Sequence, residues 1–98
     1  MAAPAKGNNL TGGIEEQRVL ITAGAGGIGL AIAERLAELG AHLFVCDVSE
    51  EVLSEFSERF PDIGSIKADV SDEREVDRMF DAAREKLGGL DALVNNAG

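Results

Sequence analysis

Between residues 22 and 29 the chain reads Thr22-Ala23-Gly24-Ala25-Gly26-Gly27-Ile28-Gly29, and Gly24, Gly26 and Gly29 fall in the spacing G-x-G-x-x-G. Without Cβ atoms, glycines at such intervals let a chain turn tightly, bring backbone amides against a pyrophosphate, and seat the following helix close to a sheet. Taken alone, the pattern is common to many glycine-rich turns. Its chemical meaning depends on an acid further along, and Asp47 lies twenty residues after Gly27, the separation at which a carboxylate reaches the ribose of a bound adenosine. There it would accept both ribose hydroxyl protons in charged hydrogen bonds of roughly 1.5 to 3 kcal/mol each. Against a 2′-phosphate it would be repulsive, by about 4 kcal/mol as an upper figure for unit charges about 4 Å apart at an effective dielectric of about 20. No Arg or Lys stands in the glycine loop or directly after Asp47, where Val48 follows. NAD is therefore expected over NADP. The competing reading of Asp47 is a turn or cap acid beside Ser49.

Two further groups belong to the same chemistry. Asp69-Val70 follows a weak apolar run, where a carboxylate can take the adenine amino proton and an apolar neighbour can cover the ring; the same Asp could simply lead into a helix beginning near Asp72. Asn95-Asn96-Ala97-Gly98 follows the last apolar run. Small residues there let backbone approach a ligand, and a buried Asn can bridge neighbouring strands; an ordinary turn is the alternative.

These residues need a scaffold that gathers them at one edge. Short apolar runs at Val19-Leu20-Ile21, Leu43 to Cys46, near Ile66 and Leu90 to Val94 do not alternate, as suits strands buried on both faces of a parallel sheet. Three helices are expected between them. The first, Ile28 to Leu39, opens from the glycine cluster and stops at Gly40. A second begins after Ser49, with Glu50 and Glu51 in its first turn, and ends at Pro61. The third sets Val76, Met79, Phe80, Ala83 and Leu87 on one stripe, has Asp72 and Glu75 spaced as a capping box, and stops at Gly88-Gly89. Strand, helix, strand, helix, strand, helix, strand with right-handed crossovers predicts an α/β, Rossmann-type doubly wound parallel sheet in the order 3-2-1-4, ending after its fourth strand.

Composition narrows the function. The 98 residues are 45% hydrophobic and 28% charged, with a net charge of −9, so the chain is globular and repels the anionic backbone of nucleic acids and anionic membranes. A single cysteine, Cys46, and the absence of a signal peptide or long apolar run lead to a cytoplasmic expectation. Cys46 fits a core position and His42 has no partner at ligand spacing, so no metal site is expected. Residues 1–13 read as a disordered leader, and residues 14–98 as an incomplete dinucleotide-binding portion.

The glycine loop followed by Leu30-Ala31-Ile32-Ala33, then Asp47, Asp69-Val70-Ser71-Asp72 and Asn95-Asn96-Ala97-Gly98, together resembles the N-terminal part of a short-chain dehydrogenase/reductase, over residues 18 to 98. The resemblance implies an NAD-dependent oxidoreductase passing hydride between the cofactor and a small-molecule alcohol or ketone, in a parent that is a homo-oligomer. By it Thr22, Gly27, Ile28 and Gly29 belong to the pyrophosphate loop, Asp47 to the ribose, Asp69 and Val70 to the adenine, and Asn95, Ala97 and Gly98 to sheet stabilisation and the cofactor floor. The loop departs from the family at Ala23, where the family's first Gly usually stands. If that backbone needs a positive φ the methyl would cost on the order of 1 kcal/mol, and a turn relocated toward Gly24 is expected. The family's catalytic Ser, Tyr-x-x-x-Lys pair and supporting Asn have no counterpart, and the chain contains no Tyr. No catalytic residue is therefore expected, and the chain alone should be inactive and marginally stable with its fourth strand as a bare edge. Two rival readings are a methyltransferase domain, since S-adenosylmethionine also uses a glycine loop and acids after the second and third strands, and a non-catalytic nucleotide-binding or assembly fragment. Asn95-Asn96-Ala97-Gly98 argues against the first.

Overall fold

The structure, a computed structural model, describes residues 14–97. The leader expected over residues 1–13 and the expected floor residue Gly98 lie outside the described residues. The elements are β1 (Arg18–Thr22), α1 (Gly27–Glu38), β2 (His42–Asp47), α2 (Glu50–Arg59), β3 (Gly64–Lys67), α3 (Glu73–Leu87) and β4 (Ala92–Asn95). All the pairings are parallel, and the sheet order is β3-β2-β1-β4, as expected.

Alternation along the two central strands feeds two separate cores. Val19, Ile21, Leu43 and Val45 meet Ala33 and Leu36 of α1 and Leu53 and Phe56 of α2. On the other face Leu20, Phe44 and Cys46 meet Met79 and Ala83 of α3. Burying each large apolar side chain contributes about 1.5–3 kcal/mol, so β1 and β2, apolar on both faces, anchor the fold. Among the described residues no helix is long and apolar enough to cross a membrane.

The fourth strand departs from expectation. It begins at Ala92 and not at Leu90, and Leu93 is exposed. Just before it, Asp91 is locked onto the start of β1. Its Oδ2 accepts from the Arg18 backbone N–H and Nε, each at 2.9 Å, and its Oδ1 accepts from Nη2 at 2.9 Å. Arg18 Nη1 donates to the Gly88 carbonyl at 3.0 Å, and the Asp91 amide donates to the Arg18 carbonyl at 2.8 Å. Leu90 packs against the α3 core instead of entering the strand. These bonds from Arg18 hold the Asp91 carboxyl down to about 2.

Candidate functional site

All three helices begin at the carboxyl edge of the sheet, where open α/β folds place ligands. Their first turns differ. Ser49 caps α2, its hydroxyl accepting from the Val52 amide at 3.2 Å, and Glu50 and Glu51 complete that turn. Asp72 caps α3, accepting from the Arg74 amide at 2.9 Å. The expected capping box closes differently: Glu75 Oε1 accepts from the Asp69 amide at 2.8 Å, extending the cap into the preceding loop. At α1 the N-cap is Gly26, with no side-chain cap and no acid in the first turn. Its leading amides are offered outward, which is what an anion requires.

The glycine loop that presents these amides is held from below. Ala23 itself takes the left-handed conformation, φ 54°, so the turn is not relocated to Gly24 as the sequence suggested. Gly24 is instead buried under Val45 and Ile21, its amide donating to the Cys46 carbonyl at 3.1 Å. That bond and the seat of Gly24 leave the reversal to Ala23. Gly27 also has positive φ, 56°, with open space around it. At Gly29 the demand is contact: a Cβ would run into the Ala23 carbonyl oxygen and come within 2.8 Å of Asn96 Nδ2.

Thr22 and Asn96 build the seat. Thr22 is buried and its hydroxyl serves β4: it accepts from the Asn96 amide at 2.9 Å and the Ala97 amide at 3.0 Å, and lies 3.2 Å from Asn95 Oδ1, to which it can donate. Asn96 Nδ2 donates to the Ala23 carbonyl at 3.2 Å. Asn95 is exposed, and it is the half-buried Asn96 that bridges to the glycine turn. Asn96 was not singled out as a site residue in the sequence. Its bond depends on two turns meeting across the edge, and the paired Asn-Asn is the one signal that pointed to it.

Asp47 stands half-buried at the end of β2, its Oδ1 accepting from the Ser49 amide at 3.2 Å. Lys67 is its register partner on β3, a cation the sequence did not place beside it. Asp69 is exposed, and Oδ1 accepts from Ser71 Oγ at 2.7 Å and the Ser71 amide at 2.9 Å. The Ser71 hydroxyl, and then its amide, hold this carboxyl below the ordinary range. Three apolar side chains of the expected site lie open to solvent: Ile28 at 74%, Val48 at 60% and Val70 at 36%. Val48 and Val70 flank a depression of about 60 Å³ with Ala23, Cys46, Asp47 and Ala97, far smaller than the roughly 300–1,000 Å³ of enclosed small-molecule sites. A ligand would lie across it. Cys46, buried, also lines it, and burial pushes the thiol up, which favours the unreactive protonated form. His42, at the opposite edge, pairs with Glu16 at 2.6 Å. Among the described residues no cluster of His, Cys, Asp or Glu could hold a metal.

Known proteins share this fold. Residues 17–98 match the short chain dehydrogenase family. The chain is 41% identical over 80 residues to the uncharacterized oxidoreductase DltE of Bacillus subtilis, covering 82% of this chain and 32% of that protein. It is 38% identical over 86 residues to 3beta-hydroxysteroid dehydrogenase 2 of Eggerthella lenta, covering 84% and 33%. The fold is similar to a short chain dehydrogenase from Mycobacterium smegmatis, with a TM-score of 0.81 and 36% identity over 87% of this chain and 37% of that one. It is also similar to a 3-ketoacyl-(acyl-carrier-protein) reductase from Brucella melitensis complexed with NADH, with a TM-score of 0.77 and 31% identity over 82% and 34%. The chain spans about a third of the length of these two curated relatives.

Proposed function

The chain belongs to the short-chain dehydrogenase family, and on that premise we propose that it carries the NAD(H)-binding portion of an oxidoreductase moving hydride between the nicotinamide and a small alcohol or ketone. The observation that carries this reading is the start of α1, uncapped and free of acids where α2 and α3 are both capped. A pyrophosphate has the charge and the acceptors to complete that turn. The close packing of Gly29 under Ala23 fits the same ligand, because it draws the helix start tight against the loop.

When bound, the dinucleotide supplies the hydride donor or acceptor. The chain's own residues bind and orient. Amides around Gly27, Ile28 and Gly29 take the pyrophosphate, with Gly24, Gly26, Thr22 and Asn96 holding the loop that presents them. Asp47 takes the adenosine ribose, using the carboxylate oxygen that does not accept from Ser49. Val48 and Val70 give the adenosine an apolar bed, and Asp69 lies at its rim. Asp47 supports NAD over NADP through its charge.

Calorimetry with ADP-ribose, NAD, NADP and S-adenosylmethionine tests the reading. ADP-ribose and NAD should bind, NADP at least about tenfold more weakly, and no NADH should form from any alcohol. Tighter binding of S-adenosylmethionine, or no binding of either dinucleotide, would overturn it.

A further inference from the structure

The parallel register gathers three charges at the start of α2. Asp47 and Lys67 are partners at the ends of β2 and β3, and the Ala68 amide donates to the Asp47 carbonyl at 3.0 Å. Ile66 packs with the α3 core and Val45 with the α1 and α2 core. Side chains alternate along a strand, so Asp47 and Lys67 both project to the α2 side. There Lys67 Nζ lies 3.7 Å from Glu50 Oε1, in the first turn of α2. Arg78 donates to the Lys67 carbonyl at 2.8 Å, which fixes the backbone from which that side chain springs.

An ammonium beside Asp47 would by itself soften the repulsion of a 2′-phosphate. Here the ammonium is paired with Glu50, and the three charges sum to a net negative patch. We propose that Glu50, by engaging Lys67, is a second determinant of cofactor choice: the pair withholds a cation that would otherwise admit a 2′-phosphate next to Asp47. This inference rests on the reading that Asp47 faces the adenosine ribose. Both side chains are more than half exposed, so the effect is moderate and sensitive to salt.

ADP and adenosine 2′,5′-bisphosphate serve as probes in calorimetry on the whole chain, and the affinity ratio of the second to the first is the readout. Glu50→Gln should raise that ratio about fivefold at low salt, and the gain should shrink in about 0.5 M salt. Lys67→Met should lower it about twofold. In the double variant the Glu50→Gln gain should vanish, since it requires the freed ammonium. A gain that persists without Lys67 would overturn the proposal, as would an unchanged ratio in Glu50→Gln while Asp47→Asn shifts it; the latter result leaves the NAD reading standing. Failure of the unmodified chain to bind either probe would take down both.

Discussion

The first turns of α1 and α3 stand at the same edge of one sheet and solve the same problem in opposite ways. At α3 the chain answers its own helix: Asp72 caps the Arg74 amide, Glu75 reaches back to the Asp69 amide, and Asp69 engages Ser71. Each of these three acids has a local duty, and Glu73 adds a further negative charge to the same turn. At α1 three glycines and no acid surround the helix start, and the nearby polar side chains, Thr22 and Asn96, brace the loop without entering the turn. A helix that caps itself gains about 1 kcal/mol and excludes anions. One that does not forgoes that gain and leaves the position to a ligand.

Substitutions can break or sharpen this contrast. The largest effect is expected from Gly29→Val, whose side chain would collide with the Ala23 carbonyl: stability should fall by about 3 kcal/mol, read from the urea midpoint, and ADP affinity by about a hundredfold or more. Asp47→Asn should weaken ADP about tenfold without moving the midpoint, a pure ligand effect. Asp72→Ala reverses that pattern, losing about 1 kcal/mol of stability with ADP affinity unchanged. A loss of ADP affinity in Asp72→Ala would erase the distinction between the two helix starts. Ala23→Gly should stabilise by about 0.5 to 1 kcal/mol, because its left-handed backbone suits glycine.

The smallest effect concerns acid. Asp91 is held down to about 2 by Arg18 from an ordinary 3.8, so its stabilisation is complete above about pH 4 and is lost as pH falls toward 2. Asp91→Asn should flatten the melting temperature over that window only. The pair is about one-third exposed, so the slope it supplies is shallow.

Much of this was legible in the sequence. Non-alternating apolar runs pointed to a parallel sheet, as the doubly buried β1 and β2 show, and the strand–helix alternation with right-handed crossovers supplied its order. Ser49, Gly40 and Gly88 marked helix ends through local chemistry, with φ 92° at Gly40 and 79° at Gly88. What escaped depends on contacts between segments. Asn96 bridging to Ala23, Lys67 arriving beside Asp47, and Asp91 delaying β4 each join residues twenty or more positions apart. The turn at Ala23 escaped for a different reason: propensity favoured Gly24, but packing against Val45 had already claimed that glycine. Lys67 could have been found by aligning the last residues of consecutive strands, since parallel register brings them side by side.

The crowding at Gly29 also says how this loop can drift. Every single-nucleotide change that alters a glycine codon without ending translation installs a Cβ, so position 29 has no tolerated neighbour in sequence space while the fold is kept. Gly27 has positive φ but open surroundings, and aspartate is among the residues that accept the left-handed conformation. That replacement would fold and set a carboxylate where the proposed pyrophosphate would lie. On the proposed reading the two glycines are guarded by different selections, folding at 29 and the ligand at 27, and a descendant that abandoned the nucleotide would lose Gly27 while keeping Gly29.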